Sequence, residues 1–380
     1  MLTTSRLHSL LLAAAAAVLL ITACKPDSDL TEEEPAVTTP YKQVLPAGFP
    51  ATVRIPADNQ LTEEGVALGR MLFYETRLSR NNALSCGSCH QQSKAFTDGR
   101  ALALGVDGAQ HTRSAMSLAN ILWEPSLNWD GAADGLETQA RKPIENPVEM
   151  HQTLAEGVSK LQQTELYPPL FRKAFGSRTI TEQNVLKALA QFERTLISSN
   201  SKYDKFRRRE ISKLTLDEEA GRQLFLTHPN PVEPIPGANC FHCHTEGNLL
   251  FSSTDYTNGA AATFFNNGLD VSPADAGRGG VTGLAADRGK FRAPTLRNIA
   301  LTAPYMHDGR FQTLQQVLDH YSDHVQQSSP NIDINLLDAT NTFHGTQLDL
   351  TATQKRQIIA FLQTLTDSTF IQDKRFSSPF

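Results

Sequence analysis

Two short stretches hold the residue types best able to do chemistry: Cys86-Gly87-Ser88-Cys89-His90 and Cys240-Phe241-His242-Cys243-His244. In each, two thiols lie on one side of a helical turn, and a histidine follows at once. This is the C-x-x-C-H spacing for covalent attachment of a c-type haem. The thiols add to two vinyl groups of one porphyrin, and the histidine turns its imidazole to the iron as proximal ligand. A redox dithiol or half a zinc site would use the same cysteine pair. Zinc needs a second ligand pair nearby, and neither motif has further cysteines close by. A structural disulfide would not require a histidine after each second cysteine. Two copies, each with its histidine, make two covalent haems c the expectation.

The opposite face of each haem decides what it does. A second protein ligand on the iron gives an electron-transfer centre. An open face beside an acid–base group gives a site for a small oxidant.

The 380 residues suffice for two ordinary domains after loss of a leader. The formal charge of -5 gives no sign of a nucleic-acid partner and suits patchwise docking. Of the five cysteines, four serve the haem motifs, and the fifth, Cys24, belongs to the leader. Residues 1–24 read as a lipoprotein signal peptide: Arg6 in the positive region, an apolar run over 10–21, then Ile21-Thr22-Ala23-Cys24. That run is short of the ~20 residues that span a bilayer. Cys24 is the expected lipidation site, an anchor to the membrane on the periplasmic side of a bacterial envelope. Residues 25–50 are acidic and proline-punctuated, a linker without a core.

An internal repeat then positions the two motifs. Leu61-Thr62-Glu63-Glu64 leads through Gly69-Arg70-Met71-Leu72-Phe73 to Cys86, and Leu214-Thr215-Leu216-Asp217-Glu218 leads through Gly221-Arg222-Gln223-Leu224-Phe225 to Cys240. Each copy starts with a Thr cap and acids in the first turn, and Thr215 with Glu218 forms a capping box. The repeat predicts an all-α chain of two cytochrome-c-like domains with long loops, over 51–210 and 211–380. Residues 181–196 are expected helical, with Val185, Leu189, Phe192 and Leu196 on one face. A last helix starts at Thr351 and buries Ile358, Phe361, Leu362 and Leu365. Pro143 and Pro147 are expected to break the chain around residues 144–150, and residues 275–289 read as a Gly-rich loop. The run Arg207-Arg208-Arg209 is a solvated face or a docking patch for an acidic partner.

The chain resembles the bacterial dihaem cytochrome c peroxidases and their MauG-type relatives, which oxidise protein side chains. The likeness covers roughly residues 50–380 and rests on Leu78-Ser79-Arg80, Trp129-Asp130-Gly131, Asn146-Pro147-Val148-Glu149-Met150, Pro294-Thr295-Leu296-Arg297-Asn298 and Leu301 to Gly309. It implies that the first haem is peroxidatic and the second transfers electrons. It implies that Glu149 is the distal glutamate moving a proton between the peroxide oxygens. Gln139 would be the amide that orients the peroxide, and Trp129 the indole between the haems. His90 and His244 would be the proximal ligands.

Two departures from the peroxidase pattern follow. The loop histidine that ligates the resting peroxidatic iron there is matched by Val106, with His111 displaced nearby as an alternative ligand. The resemblance therefore implies a five-coordinate first haem in the resting ferric state. The distal methionine of the second haem is matched by Tyr321, as in MauG-type proteins, with Met306 and His320 as competitors. Tyrosinate stabilises oxidised iron, whereas Met/His ligation raises the potential. His307 matches a turn residue near a propionate. One calcium ion is implied through the carbonyls of Thr302 and Pro304, where the usual Asn ligand is Ser114. The family is often dimeric, so a homodimer is an expectation, although no self-complementary patch is visible in the sequence.

Three functions follow as expectations. The first is reduction of hydrogen peroxide with electrons from a small cytochrome c or a cupredoxin. The second is a MauG-like oxidation of a protein or other organic substrate by peroxide. The third is a non-catalytic dihaem electron carrier.

Overall fold

A computed structural model describes residues 37–233, 235–255 and 261–380. Cys24 and the signal peptide lie outside the described residues. Helices α1 (Glu63–Phe73), α2 (Cys86–Cys89), α3 (Leu136–Glu145), α4 (Leu154–Gln162), α5 (Tyr167–Phe175) and α6 (Glu182–Glu193) make up the first half. The second half has α7 (Lys202–Arg207), α8 (Leu216–Leu226), α9 (Arg278–Thr282), α10 (Leu314–Asp319), α11 (Ile334–Leu337) and α12 (Ala352–Gln363). The strands among the described residues are short antiparallel pairs: Thr254–Asp255 with Ala261–Ala262, and Phe264–Phe265 with Phe291–Arg292. The chain is thus helix-rich rather than purely helical. Among the described residues no helix is long and apolar enough to cross a membrane.

The repeat is physical. Thr62 Oγ1 accepts from the Gly65 amide at 3.0 Å, and Thr215 Oγ1 from the Glu218 amide at 3.3 Å, so each copy opens on a side-chain cap. Seven and six residues on, respectively, a glycine lets another helix come close. A Cβ on Gly69 would overlap the Ala188 carbonyl of α6, and one on Gly221 would overlap the Gln357 carbonyl of α12. One turn further, Phe73 meets Phe192 at 5.3 Å and Phe225 meets Phe361 at 5.4 Å.

Each pair anchors its own core. The first gathers Leu68, Leu72, Phe96, Leu154, Phe171 and Leu189, and the second Tyr203, Leu224, Phe251, Ile358 and Leu362. The ends of the chain cross over. Phe49 packs in the second core, while Phe370 and Phe376 return to the first, where the Phe376 carbonyl accepts from Tyr74 Oη at 2.6 Å. A buried polar network joins the cores: Asn120 and Asn298 each bond Ser198, and the Asp367 amide donates to Asn298 Oδ1 at 2.7 Å.

The glycines make a testable prediction. Ala is a better helix former by about 1 kcal/mol. Overpacking against a backbone that cannot yield costs about 1–3 kcal/mol or more. Gly69→Ala and Gly221→Ala should therefore each lower the denaturant midpoint of the haem-loaded protein. A raised midpoint would mean that the helices can part without loss.

Two expectations need correcting. Residues 275–289 are not wholly loop, because Arg278–Thr282 closes a helical turn that places the Arg278 guanidinium on the Phe264 ring, 4.6 Å from its centroid. Pro143 does not break α3, which runs through it to Glu145. Proline removes one helical hydrogen bond, and here the loss falls in the last turn. Beyond it, the Met150 amide donates to the Pro143 carbonyl at 3.0 Å, so the turn carrying Glu149 folds back onto the helix end.

Candidate active site

Each C-x-x-C-H motif sits at the start of a loop that folds back to hold its histidine. His90 Nδ1–H donates to the Phe96 carbonyl at 2.8 Å, and His244 Nδ1–H to the Phe251 carbonyl at 3.2 Å. Phe96 and Phe251 both have positive φ, which turns these carbonyls inward. A carbonyl can only accept, so Nδ1 holds the proton and Nε2 keeps its lone pair for a metal. Burial pulls both imidazoles below their ordinary value, His244 to about 4, and so keeps them neutral. The four cysteines are unbonded. Burial pushes all four thiols up, Cys89 to about 11 and Cys240 to about 12. Reactive dithiols have depressed pKa values, the opposite direction.

The residues fit haem in other ways. The second motif opens into a cleft with about 1740 Å³ of atom-free space, its solvent mouth included, walled by Phe225, Leu318, Ile358 and Leu362. Buried polar atoms near these motifs lack hydrogen-bond partners among the described residues: Glu193 Oε2 and Asp98 Oδ2, whose charges act on Cys86 and Cys89, and Gln347 Oε1 in the second cleft. Burial pushes the Glu193 carboxyl up to about 8. Among the described residues no cluster of three or more His, Cys, Asp or Glu could hold a separate metal ion.

At the first site Glu149 acts electrostatically on Cys86, Cys89 and His90 together. Its Oε1 accepts from Asn146 Nδ2 at 2.7 Å and lies 3.3 Å from His111 Nε2. Burial pushes the Glu149 carboxyl up. The His111 bond and charge, the Asn146 amide and His90 outweigh it and hold the carboxyl below the usual range. The loop after the first motif is a narrow hairpin, Leu104 opposite Gln110, fastened to the Glu149 turn by the Val106 amide donating to the Glu149 carbonyl at 2.7 Å. Val106 and Glu149 are thus neighbours. His111, expected as an alternative ligand, has its Nε2 beside Glu149 Oε1. Gln139 is half-buried on α3, and its side chain makes no hydrogen bond to the described residues.

At the second site half-buried Tyr321 lines the cleft with Cys240, Cys243 and His244. It lies in a widened π turn, His320–His324, after α10. Asn267 Nδ2 stands 3.3 Å from Tyr321 Oη and 3.5 Å from Met306 Sδ, so both candidate ligands converge on one amide. Burial pushes the Tyr321 phenol up, and the Asn267 hydrogen bond works against this. His320, the other competitor, donates from Nε2 to the Asn267 carbonyl at 3.0 Å. Trp129 lines the same cleft and donates from Nε1 to the Ser114 carbonyl at 3.0 Å. Its ring meets His307 edge-on at 6.5 Å. Ser114 Oγ donates to the Met306 carbonyl at 3.0 Å and its amide to the His307 carbonyl at 2.8 Å.

A second internal repeat escaped the sequence reading. Asn120, Leu127, Asn128, Trp129, Asp130, Gly131 and Leu136 match Asn298, Tyr305, Met306, His307, Asp308, Gly309 and Leu314 at one constant offset. The structure shares the repeat: Asn120, Asn128, Asn298 and Met306 have positive φ, and the bridge Leu127–Ala133 corresponds to Tyr305–Phe311. At that offset Tyr321 pairs with Pro143. The signal that could have revealed it was the recurring turn Asp-Gly, two residues after a positive-φ position.

With the geometry in place, the relatives are informative. The family model for di-haem cytochrome c peroxidase matches residues 63–212. The methylamine utilization protein MauG of Methylorubrum extorquens is 34% identical over 319 residues, 83% of this chain and 82% of that one. The chain belongs to the di-haem cytochrome c peroxidase and MauG family. Cytochrome c551 peroxidase of Nitrosomonas europaea is 37% identical over 255 residues, 66% of this chain and 71% of the relative. The crystal structure of a MauG-like protein associated with microbial copper homeostasis superposes with a TM-score of 0.77 at 37% identity, covering 89% of this chain and 99% of that one. Membership of this di-haem family implies two c-type haems and oxidoreductase chemistry.

Proposed function

We propose that the chain reduces hydrogen peroxide at its first haem, with electrons entering through the second from a small periplasmic cytochrome c or cupredoxin. The haems, held by Cys86, Cys89 and His90 and by Cys240, Cys243 and His244, would supply the iron that binds peroxide and would pass on the electrons of the donor. Glu149 takes a proton from one peroxide oxygen and returns it to the other, which then leaves as water. The unpartnered Gln139 amide is free to orient the peroxide. Trp129, on the wall between the Ser114 loop and the second cleft, lies on the electron's route. The asymmetry between Pro143 and Tyr321 carries this reading. Equivalent positions of the repeat hold a residue without a ligating atom in the first half and a phenol in the second. Steady-state turnover with a reduced cytochrome c or cupredoxin tests the proposal. Two electrons should be consumed per peroxide, and a protein that takes up electrons but leaves peroxide intact would refute it.

Tyr321 favours a second reading, in which peroxide drives a MauG-like oxidation of a protein. An oxygen ligand stabilises oxidised iron, so the second haem would retain oxidising equivalents. Tyr321→Met should raise its midpoint potential by on the order of 100 mV, read by spectroelectrochemistry. A methionine-to-iron charge-transfer band in the unsubstituted protein would instead assign Met306 as the ligand and exclude this reading.

Anchoring through Cys24, residence in the periplasm and a homodimer belong to the same proposal. Calcium belongs to it as well: Thr302 and Pro304 offer carbonyls, and Ser114, whose hydroxyl donates to the Met306 carbonyl, stands where the family has Asn. No step is assigned to calcium.

A further inference from the structure

We propose that His111 is not an iron ligand but the residue that positions Glu149 and supplies it with protons, so that the first haem works with a two-residue acid–base unit. This rests on the role of Glu149 proposed above and adds a residue to it.

Hydrogen bonding at both ring nitrogens points this way. Nε2 faces Glu149 Oε1 at 3.3 Å. Nδ1 lies 3.1 Å from both the amide and the carbonyl of Arg113. In one neutral tautomer His111 accepts the Arg113 amide at Nδ1 and has its proton on Nε2, toward Glu149. A cationic His111 donates from Nδ1 to the Arg113 carbonyl and still donates from Nε2 to Glu149. The ring can gain or lose a proton without turning and without releasing the carboxylate. The His111 and Glu149 side chains are both partly exposed, 29% and 31%, so the ring can take up a proton beside the carboxylate.

Breaking the O–O bond of peroxide consumes two protons and two electrons and forms two waters. The electrons come from the donor protein. Glu149 only relocates a proton that peroxide already has, so the consumed protons need a path inward. Cationic His111 passes its Nε2 proton to the carboxylate and is left as the Nδ1–H tautomer, still bonded to the Arg113 carbonyl, until a proton from solvent restores the cation.

The charges around the pair support the assignment. The Glu149 hydrogen bond raises His111 above its ordinary value, with burial opposing it. Arg113 is the nearest cation, but Asp130 at 2.6 Å and Asp275 at 2.7 Å neutralise it. The other charged groups of the hairpin and the Glu149 turn, Asp107 with Arg80 and His151, pair among themselves. His90 and Asn146 complete the set facing Glu149.

The test uses His111→Gln and His111→Ala in the haem-loaded protein. One readout is the pH profile of cyanide association at the first haem, in which hydrogen cyanide must surrender its proton. The other is the spin state of the resting protein. Without His111, burial of Glu149 is less opposed, so the acid limb should move to higher pH. A charge-assisted hydrogen bond corresponds to about tenfold or more, so association near the acid limb should slow by about tenfold, and less in the Gln variant than in the Ala variant. Spin states should not change. Superimposable profiles would overturn the inference, as would a high-spin signal gained on removing His111, which would make His111 the ligand. If Glu149→Gln lowers turnover while the His111 variants keep the unsubstituted profile, only this inference falls. If Glu149→Gln is fully active, the proposed function falls first.

Discussion

Glu149→Gln should lower kcat/KM for hydrogen peroxide by about 10²–10⁴-fold while haem content and fold are retained, because proton transfer by a positioned side chain contributes about that factor. The substitution keeps the shape and removes the base. Asn146 Nδ2 and His111 Nε2 both point donors at one carboxylate oxygen. A carboxamide can receive them at its oxygen, but it cannot take a proton from peroxide. Stopped-flow mixing with peroxide separates this from a binding defect. The fast optical change should slow in the variant, while cyanide should still bind to the first haem, at a reduced rate. Activity within about threefold of the unsubstituted protein would remove Glu149 from the mechanism.

Arg297→Met should destabilise the second core by about 3–5 kcal/mol, the cost of leaving one member of a buried ion pair uncompensated. Arg297 and Asp204 side chains are 0% and 1% exposed, and they pair directly. The same guanidinium donates to the Leu249 carbonyl at 2.7 Å and lies over the Phe49 ring. Leu249 is two residues from Phe251, whose carbonyl holds His244. The loss should therefore appear twice, as a lower thermal midpoint and as incomplete haem attachment at Cys240 and Cys243. Arg297→Met with Asp204→Asn should recover part of the stability, since the orphaned charge is gone. An unchanged midpoint in the single variant would show that water reaches Asp204.

Much of this arrangement is local and therefore legible in the sequence. The two C-x-x-C-H motifs, the Thr62 and Thr215 caps, and the buried face of Val185, Leu189 and Phe192 depend on neighbours within a turn. The Arg297 pairing is not local, because its partner lies far back in the chain. The same holds for the His111–Glu149 contact. Two irregular turns create it, and neither has a periodicity to betray its path. The second internal repeat hid because only turn residues survive in it, while the helix faces between them differ. Pro143 misled for another reason. Its missing amide is costly in mid-helix but cheap in a last turn. The crossing of the chain ends between cores leaves no sequence mark at all, since Phe370 and Phe376 look like any apolar tail.

The central claim is that one haem iron lacks a protein ligand on its distal side while the other has one. Electron paramagnetic resonance of the resting, fully oxidised protein tests this directly, because it counts and types both irons in one spectrum. The account predicts one high-spin ferric signal, abolished by cyanide, beside one low-spin signal of equal intensity. Two low-spin signals, with no high-spin component before cyanide is added, would contradict it.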